Sequence, residues 1–184
     1  MQLGIHTGTF SRPTITGGLE AALLCGLPYV HLSLKAKGAD IVDPQAAAAA
    51  ARMLIETKMH VASLSGTFNM AHPDASVRNR GLAQLAELIP LAEHFQAPVI
   101  SLCTGTRNPD SMWRSHPDNQ TPEAWRDFTA TLEKALHIAE CYQVILGIEP
   151  EPANVISDAQ AARRLLDQYS SPYLKVIFDP ANLV

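Results

Sequence analysis

Val144-Ile-Leu-Gly-Ile-Glu149 and Leu174-Lys-Val-Ile-Phe-Asp179 are two short apolar runs that each close on a carboxylate. Continuous runs of β-branched and large apolar residues read as strands buried on both faces, the pattern of a parallel sheet. An acidic group at the exit of such a strand is costly to desolvate unless it is paired, solvated or metal-bound. From neighbouring parallel strands Glu149 and Asp179 would converge on one rim, where a shared divalent cation would keep both ionised. The alternative is a carboxylate that caps the following loop and faces water, which either residue alone would fit. The echo of Glu-Pro-Glu-Pro-Ala-Asn (149–154) in Asp-Pro-Ala-Asn (179–182) favours a site.

Working outward, short apolar runs alternate with helical patterns. The pattern predicts strands at Leu3–Thr7, Tyr29–Leu34, His60–Ser65, Val99–Cys103, Ile145–Glu149 and Leu174–Asp179. Between them it predicts helices near 17–26, 44–58, 75–95, 122–142 and 158–169. Asp43-Pro44 and Thr121-Pro122 each place a capping oxygen before a proline at the first helical position, and Ser157 with Gln160 reads as a capping box. The run Ala46–Ala51 lies inside a capped helix and reads as a small, close-packing face. Strict alternation implies parallel strands joined by right-handed crossovers, in an open doubly wound sheet or a barrel. The loop Thr7–Gly18 fits neither glycine-rich phosphate motif, while Thr7, Ser33, Ser65, Thr104, Glu149 and Asp179 put a polar group at almost every strand exit. A polar ring at the strand ends is how a (β/α)8 barrel builds its active face, so the expected fold is α/β of TIM-barrel type. Six strands are visible where eight are needed, and such barrels take ~250 residues. The expectation is one domain over 1–184 that stops after the sixth strand, with open sheet edges that favour a homo-oligomer.

Composition narrows the partners. With 47% hydrophobic and 17% charged residues the chain is an ordinary globular one, neither disordered nor fibrous. A net charge of −4, with Lys and Arg scattered, gives no footprint for a nucleic-acid backbone or an anionic membrane. Cys25, Cys103 and Cys141 are odd in number and lack metal-ligand spacing, so they read as reduced thiols. No signal peptide and no run near the ~20 apolar residues of a membrane helix is visible, and the expected location is cytoplasmic.

Four segments in order, Ser65-Gly-Thr-Phe-Asn-Met-Ala-His-Pro-Asp74, Cys103-Thr-Gly-Thr-Arg107, the stretch from Trp113 to Asn119 and the two carboxylate strand ends, resemble one family. The chain is similar to the sugar phosphate isomerase/epimerase group of the xylose isomerase-like TIM-barrel superfamily (AP endonuclease family 2-like), from Leu3 to Val184. The resemblance implies one divalent metal (manganese, magnesium or zinc) held by four side chains at the ends of the last four strands. It places the first ligand on Glu149 and the second on Asp179, and implies that a His and a Glu would follow beyond Val184. Asn182 stands where several relatives have a His; it can hydrogen-bond substrate but is a poor acid or base. The implied reaction moves a proton next to the carbonyl of a sugar or sugar phosphate through an enediolate, with Glu149 as one catalytic carboxylate.

Other residues are weighed against plainer roles. His72 and Asn69, in the loop after the third strand, are either loop-forming residues or, by the family pattern, contacts to substrate or metal. In the long connection Thr104–Thr121, Trp113, His116 and Asn119 combine an aromatic face with polar donors, which suits a sugar and makes the connection a candidate lid. Arg107 is either a solvated cation or a partner for phosphate. Asn154 is a candidate contact for a substrate hydroxyl; Glu151 reads as shaping its loop. His6 and His31 read as neutral imidazoles, and Cys103 as a small core residue. The leading function is a metal-dependent sugar isomerase/epimerase acting on a small carbohydrate. The alternatives are an inactive or regulatory sugar-binding fragment that needs a partner, and an endonuclease-IV-like DNA hydrolase, which the lack of a basic face and of clustered His ligands disfavours.

Overall fold

A computed structural model describes residues 2–34 and 43–182; the end residues of the expected 1–184 domain lie outside them. Among the described residues six strands form one parallel sheet in chain order: β1 (Gly4–His6), β2 (Tyr29–Leu32), β3 (His60–Ser65), β4 (Val99–Cys103), β5 (Ile145–Glu149) and β6 (Leu174–Val176). Among the described residues six α-helices fill the crossovers: α1 (Ile15–Leu24), α2 (Pro44–Thr57), α3 (Ala75–Leu88), α4 (Leu91–His94), α5 (Pro122–Cys141) and α6 (Ala159–Gln168). Among the described residues, no helix is long and apolar enough to cross a membrane.

The chain forms two compact units, each with its own core. The first comprises the residues up to Ser65 together with Pro90–Ile100. In it β1 pairs with β2 and β2 with β3, all parallel, with a register shift between Val30 and His31. Val30, Leu32 and Leu64 of these strands are fully or nearly fully buried, as are Leu19 of α1 and Ala50 of α2. The alanine run does form a packing face: Ala47, Ala50 and Ala51 are buried, and α2 lies against α1. Asp43 caps α2 as the sequence predicts, its side chain accepting from the Gln45 N–H at 2.9 Å.

The second unit comprises Gly66–Ile89 and the chain from Ser101 onward. Its core is the apolar face of α5 (Phe128, Leu132, Ala135) with Leu146 and Ile148 of β5 and Leu165 of α6. Thr121 caps α5 as expected. Three expectations need correction. The predicted helix 75–95 is two helices, because Pro90 has no N–H to continue the ladder and α4 starts afresh after it. The cap of α6 is Asp158, not Ser157: the Asp158 side chain accepts the Ala161 N–H at 2.8 Å, and the Ser157 hydroxyl instead meets the Asp158 carboxylate. The sixth strand ends at Val176 and is not buried on both faces. It stands last in the sheet order, Lys175 is exposed and Phe178 is 74% exposed, whereas β5, between two neighbours, buries Leu146, Gly147 and Ile148.

Candidate functional site

β5 and β6 deliver the two carboxylates the sequence singles out. The parallel register sets Ile148 against Val176, and the Ile177 N–H donates to the Ile148 carbonyl at 2.9 Å, so the pairing runs on to the residue before Glu149. Two residues later Asp179 enters a tight turn in which its carboxylate accepts from the Ala181 N–H (2.9 Å) and the Asn182 side-chain amide (3.1 Å). The Glu149 and Asp179 carboxyl groups lie within hydrogen-bonding reach of each other.

A third carboxylate joins them. The loop after β5 folds back, the Glu151 N–H donating to the Ile156 carbonyl at 3.0 Å, and brings Glu151 beside Glu149. One ligand atom each of Cys103, Glu149 and Glu151 lies within 4.8 Å of the other two. Asn182 is also within hydrogen-bonding reach of Glu151. Burial first, then the charges of Glu151 and Asp179, raise the proton affinity of Glu149, and its hydrogen bond to Asp179 acts in the same sense. Burial likewise pushes Glu151 up, opposed by Asn182 and reinforced by Asp179. The Cys103 thiol, buried at the end of β4, is pushed up to about 12 by burial and by both glutamates, so it stays protonated and is a poor metal ligand or nucleophile. Three converging carboxylates whose mutual repulsion a positive ion would relieve are the donor set of a hard divalent cation, so the residues present fit such an ion.

The amides offered as candidate substrate contacts are bonded to the protein's own backbone. Asn69 is buried, and both of its side-chain heads are engaged: Nδ2 donates to the Thr106 carbonyl (2.9 Å), and Oδ1 accepts from the Thr106 (2.9 Å) and Ala71 (3.2 Å) N–H groups. Gly105 stands at φ +77°, and a Cβ there would come within 2.1 Å of Asn69 Oδ1, so this approach needs glycine. Asn154, 1% exposed, accepts the Gly105 N–H at 2.7 Å and donates to the Met112 carbonyl at 3.1 Å. Asn119 accepts from the Thr106 hydroxyl and the Arg107 N–H, both at 2.8 Å, and donates to the Ala153 carbonyl at 2.8 Å. The connection 104–121 is thereby fastened at several points, with Trp113 (58% exposed) on its outer part.

Arg107 is likewise engaged, donating to the Ala71 carbonyl (3.2 Å) and to Asp127 of α5 (2.7 Å). Arg78 lies 3.6 Å from the same carboxylate and also donates to the His72 and Pro73 carbonyls. His72 accepts the Asp74 N–H at 3.0 Å and meets the Pro109 carbonyl at 3.3 Å. His116 caps a 3-10 turn (Pro117–Gln120) by accepting the Asp118 N–H. Glu149, Asp179 and Asn182 are thus brought together, while Asn69, His72, Arg107 and Asn154 bond across to neighbouring segments and His116 to its own turn. Sequence reasoning missed Glu151 as a member of the cluster, although its spacing from Glu149 across one proline was the available signal. Asp127 carried none.

In the first unit His6 and His31 pair edge-to-face, ring centroids 4.5 Å apart. Burial, then the neighbouring His6, lowers His31 to about 4, so it is neutral at ordinary pH.

Comparison with known proteins adds the following. The family described as xylose isomerase-like TIM barrel matches residues 19–184. No curated protein matches by sequence. Among solved structures, a D-tagatose 3-epimerase-like protein superposes with a TM-score of 0.77 at 15% identity, over 96% of this chain and 64% of its own. The 3-keto-D-glucoside 4-epimerase from E. coli gives 0.75 at 13% identity, over 96% of this chain and 67% of its own. A xylose isomerase-like TIM barrel protein from Mycobacterium smegmatis in complex with magnesium gives 0.74 at 13% identity, over 98% and 65%. At these identities the likeness establishes the fold, and the chain spans about two thirds of the length of these structures.

Proposed function

Because the chain belongs to the xylose isomerase-like TIM barrel family, we propose that its β5–β6 carboxylate cluster serves a divalent-metal-dependent isomerase or epimerase of a sugar or sugar phosphate. The observation that carries the reading is that Glu149, at the end of β5, has Glu151 within 4.8 Å and Asp179, after β6, within hydrogen-bonding reach. Glu149 and Asp179 would hold the metal, with Glu151 adjoining. Manganese, magnesium and zinc all suit a site of this kind, and two of the similar structures are bound to magnesium or zinc. The ion supplies Lewis acidity toward the carbonyl oxygen of the substrate.

The chain's own residues supply the rest. Glu149, standing at the strand end beside the proposed ion, would take and return the proton on the carbon beside the carbonyl as one catalytic carboxylate. Asn182, anchored to Asp179, offers its remaining hydrogen-bonding capacity to a substrate hydroxyl. The exposed ring of Trp113 offers a stacking face to the C–H side of a sugar. Asn69, His72, Arg107, His116 and Asn154 serve indirectly, by fixing the loops that carry these groups.

The test is exchange of substrate hydrogen with solvent. The protein is incubated with D-tagatose in D2O with magnesium or manganese, and deuterium at the carbons flanking the carbonyl is followed by NMR. Metal-dependent exchange that Glu149→Gln removes supports the reading. Binding of the sugar with no exchange at any metal concentration would assign the chain to the sugar-binding alternative.

A further inference from the structure

The first unit holds a cavity of about 680 Å3 at the N-terminal ends of its strands, sharing no residue with the carboxylate cluster. Its volume is that of a small-molecule pocket. Leu54 of α2, Met59 before β3 and Phe95 after α4 give it a buried apolar floor. Around that floor stand Tyr29, Lys58, His60, His94 and Gln96. Among the described residues none of these five side chains makes a hydrogen bond or ion pair, and no carboxylate lines the cavity. In the second unit the opposite holds: Asn69, Asn119, Asn154 and Arg107 all have protein partners.

Two further features point the same way. At the ends of α2 and α4, where free carbonyls would repel an anion, four carbonyls are already taken. Lys58 and Met59 N–H groups cover Ile55 and Leu54, and Gln96 and Ala97 cover Glu93 and Ala92. Lys58 (φ 56°) and Gln96 (φ 51°) occupy the left-handed conformation that Gly26 takes after α1, and both place a polar side chain on the cavity wall where glycine would hold the backbone more easily. The rings of Tyr29 and His60 stack with centroids 5.0 Å apart, giving an edge against which a planar body can lie.

We infer that this cavity is a second binding site, for a small organic anion with an apolar or aromatic body and a carboxylate or phosphate head. The body lies on Leu54, Met59 and Phe95, and the head meets Lys58, His60 and His94. It is independent of the function proposed for the carboxylate cluster.

The probe is phenyl phosphate, with benzyl alcohol as its neutral counterpart and inorganic phosphate as the head alone, followed by amide NMR shifts of the labelled protein. Phenyl phosphate is expected to saturate with a Kd of about 1 mM, shifting residues 58–61 and 94–96. Benzyl alcohol and inorganic phosphate should each bind about tenfold more weakly. Lys58→Gln with His94→Gln should weaken phenyl phosphate about fivefold, as removal of one exposed charge and one ring donor allows, with the spectrum otherwise unchanged. Equal binding of benzyl alcohol, shifts that these substitutions leave intact, or no saturable shift would overturn the inference. So would concentration-dependent self-association that perturbs the same amides without ligand, since the cavity would then be an interface between copies.

Discussion

Asn154 and Glu151 leave the same strand three residues apart, yet one is consumed by the fold and the other is set among like charges. Asn154 is buried, and its oxygen and nitrogen each meet a backbone group of a different segment, at Gly105 and Met112. Glu151 keeps its carboxylate among other carboxylates, a placement that folding alone does not favour. The same division separates Asn69 and Asn119 from Glu149, while Asp179 does both, closing its own turn through Ala181 and Asn182 and facing Glu149. Amides carry a donor and an acceptor and can close a loop by themselves; carboxylates only accept, and several together call for an external proton or cation. The polar residues of the strand-end loops thus divide into fasteners and the proposed reactive groups by what their chemistry leaves unsatisfied.

The largest expected effect lies on the fastening side. Asn154→Ala leaves a buried N–H and a carbonyl without partners, and should cost about 3 kcal/mol, since each orphaned group costs roughly 1–3 kcal/mol. For a chain of this size that lowers Tm by about 6–12 °C, measurable by calorimetry. Asn154→Asp, which keeps the acceptor for Gly105 but not the donor to Met112, should fall between the two. If Asn154 instead met substrate, thermal stability would hardly change.

The reactive side should respond to ions. A divalent cation at a hundredfold excess over its Kd should stabilise the protein by about 2.7 kcal/mol, raising Tm, and Glu149→Gln should abolish most of that gain. The Asn154 variants should still show it once folded. A cation response that Glu149→Gln leaves intact would remove the cluster from the reactive class.

The first unit supplies an internal control. The folded-state pKa of His31 is lowered to about 4 by burial and by His6, so between about 6.5 and 4 the unfolded chain binds the extra proton. Stability from this group is therefore complete above about pH 6.5 and falls progressively as pH drops toward 4. About 2 kcal/mol is expected after allowing for partial exposure. His31→Gln should flatten that acid limb in denaturant titrations between pH 7 and pH 4.5. A limb unchanged in the variant would mean the imidazole is protonated in the fold.

The strands, most helices and two caps were legible because each is written within a few residues: apolar runs, an oxygen before a proline, a carboxylate at a strand exit. Glu149 and Asp179 belong to that local class, and Glu151 was within reach of the same logic through its spacing. The role of Asn69 was not legible, because its partner Thr106 lies 37 positions away and nothing local distinguishes an amide that will close a loop from one that will meet a ligand. Arg107 was ambiguous for the same reason, its carboxylate partner sitting 20 residues on in α5. Ser157 misled through near-equivalence: two adjacent residues carry capping oxygens, and the helix begins one residue later than the serine would set.

The smallest effect on stability tests where the division ends. Trp113 lies on the connection that Asn154 and Asn119 fasten, but its ring is largely exposed, and its main-chain N–H to Ser111 does not depend on the side chain. Trp113→Ala should therefore change stability by no more than about 0.5 kcal/mol, as for surface substitutions generally. Its effect belongs to ligand: loss of a stacking face should weaken sugar binding several-fold while leaving the cation response untouched. A clear fall in Tm would class Trp113 with the amides as part of the fastening. An unchanged Tm with unchanged sugar affinity would leave the ring outside the site, and the recognition of sugar would then rest on Asn182 and the carboxylates.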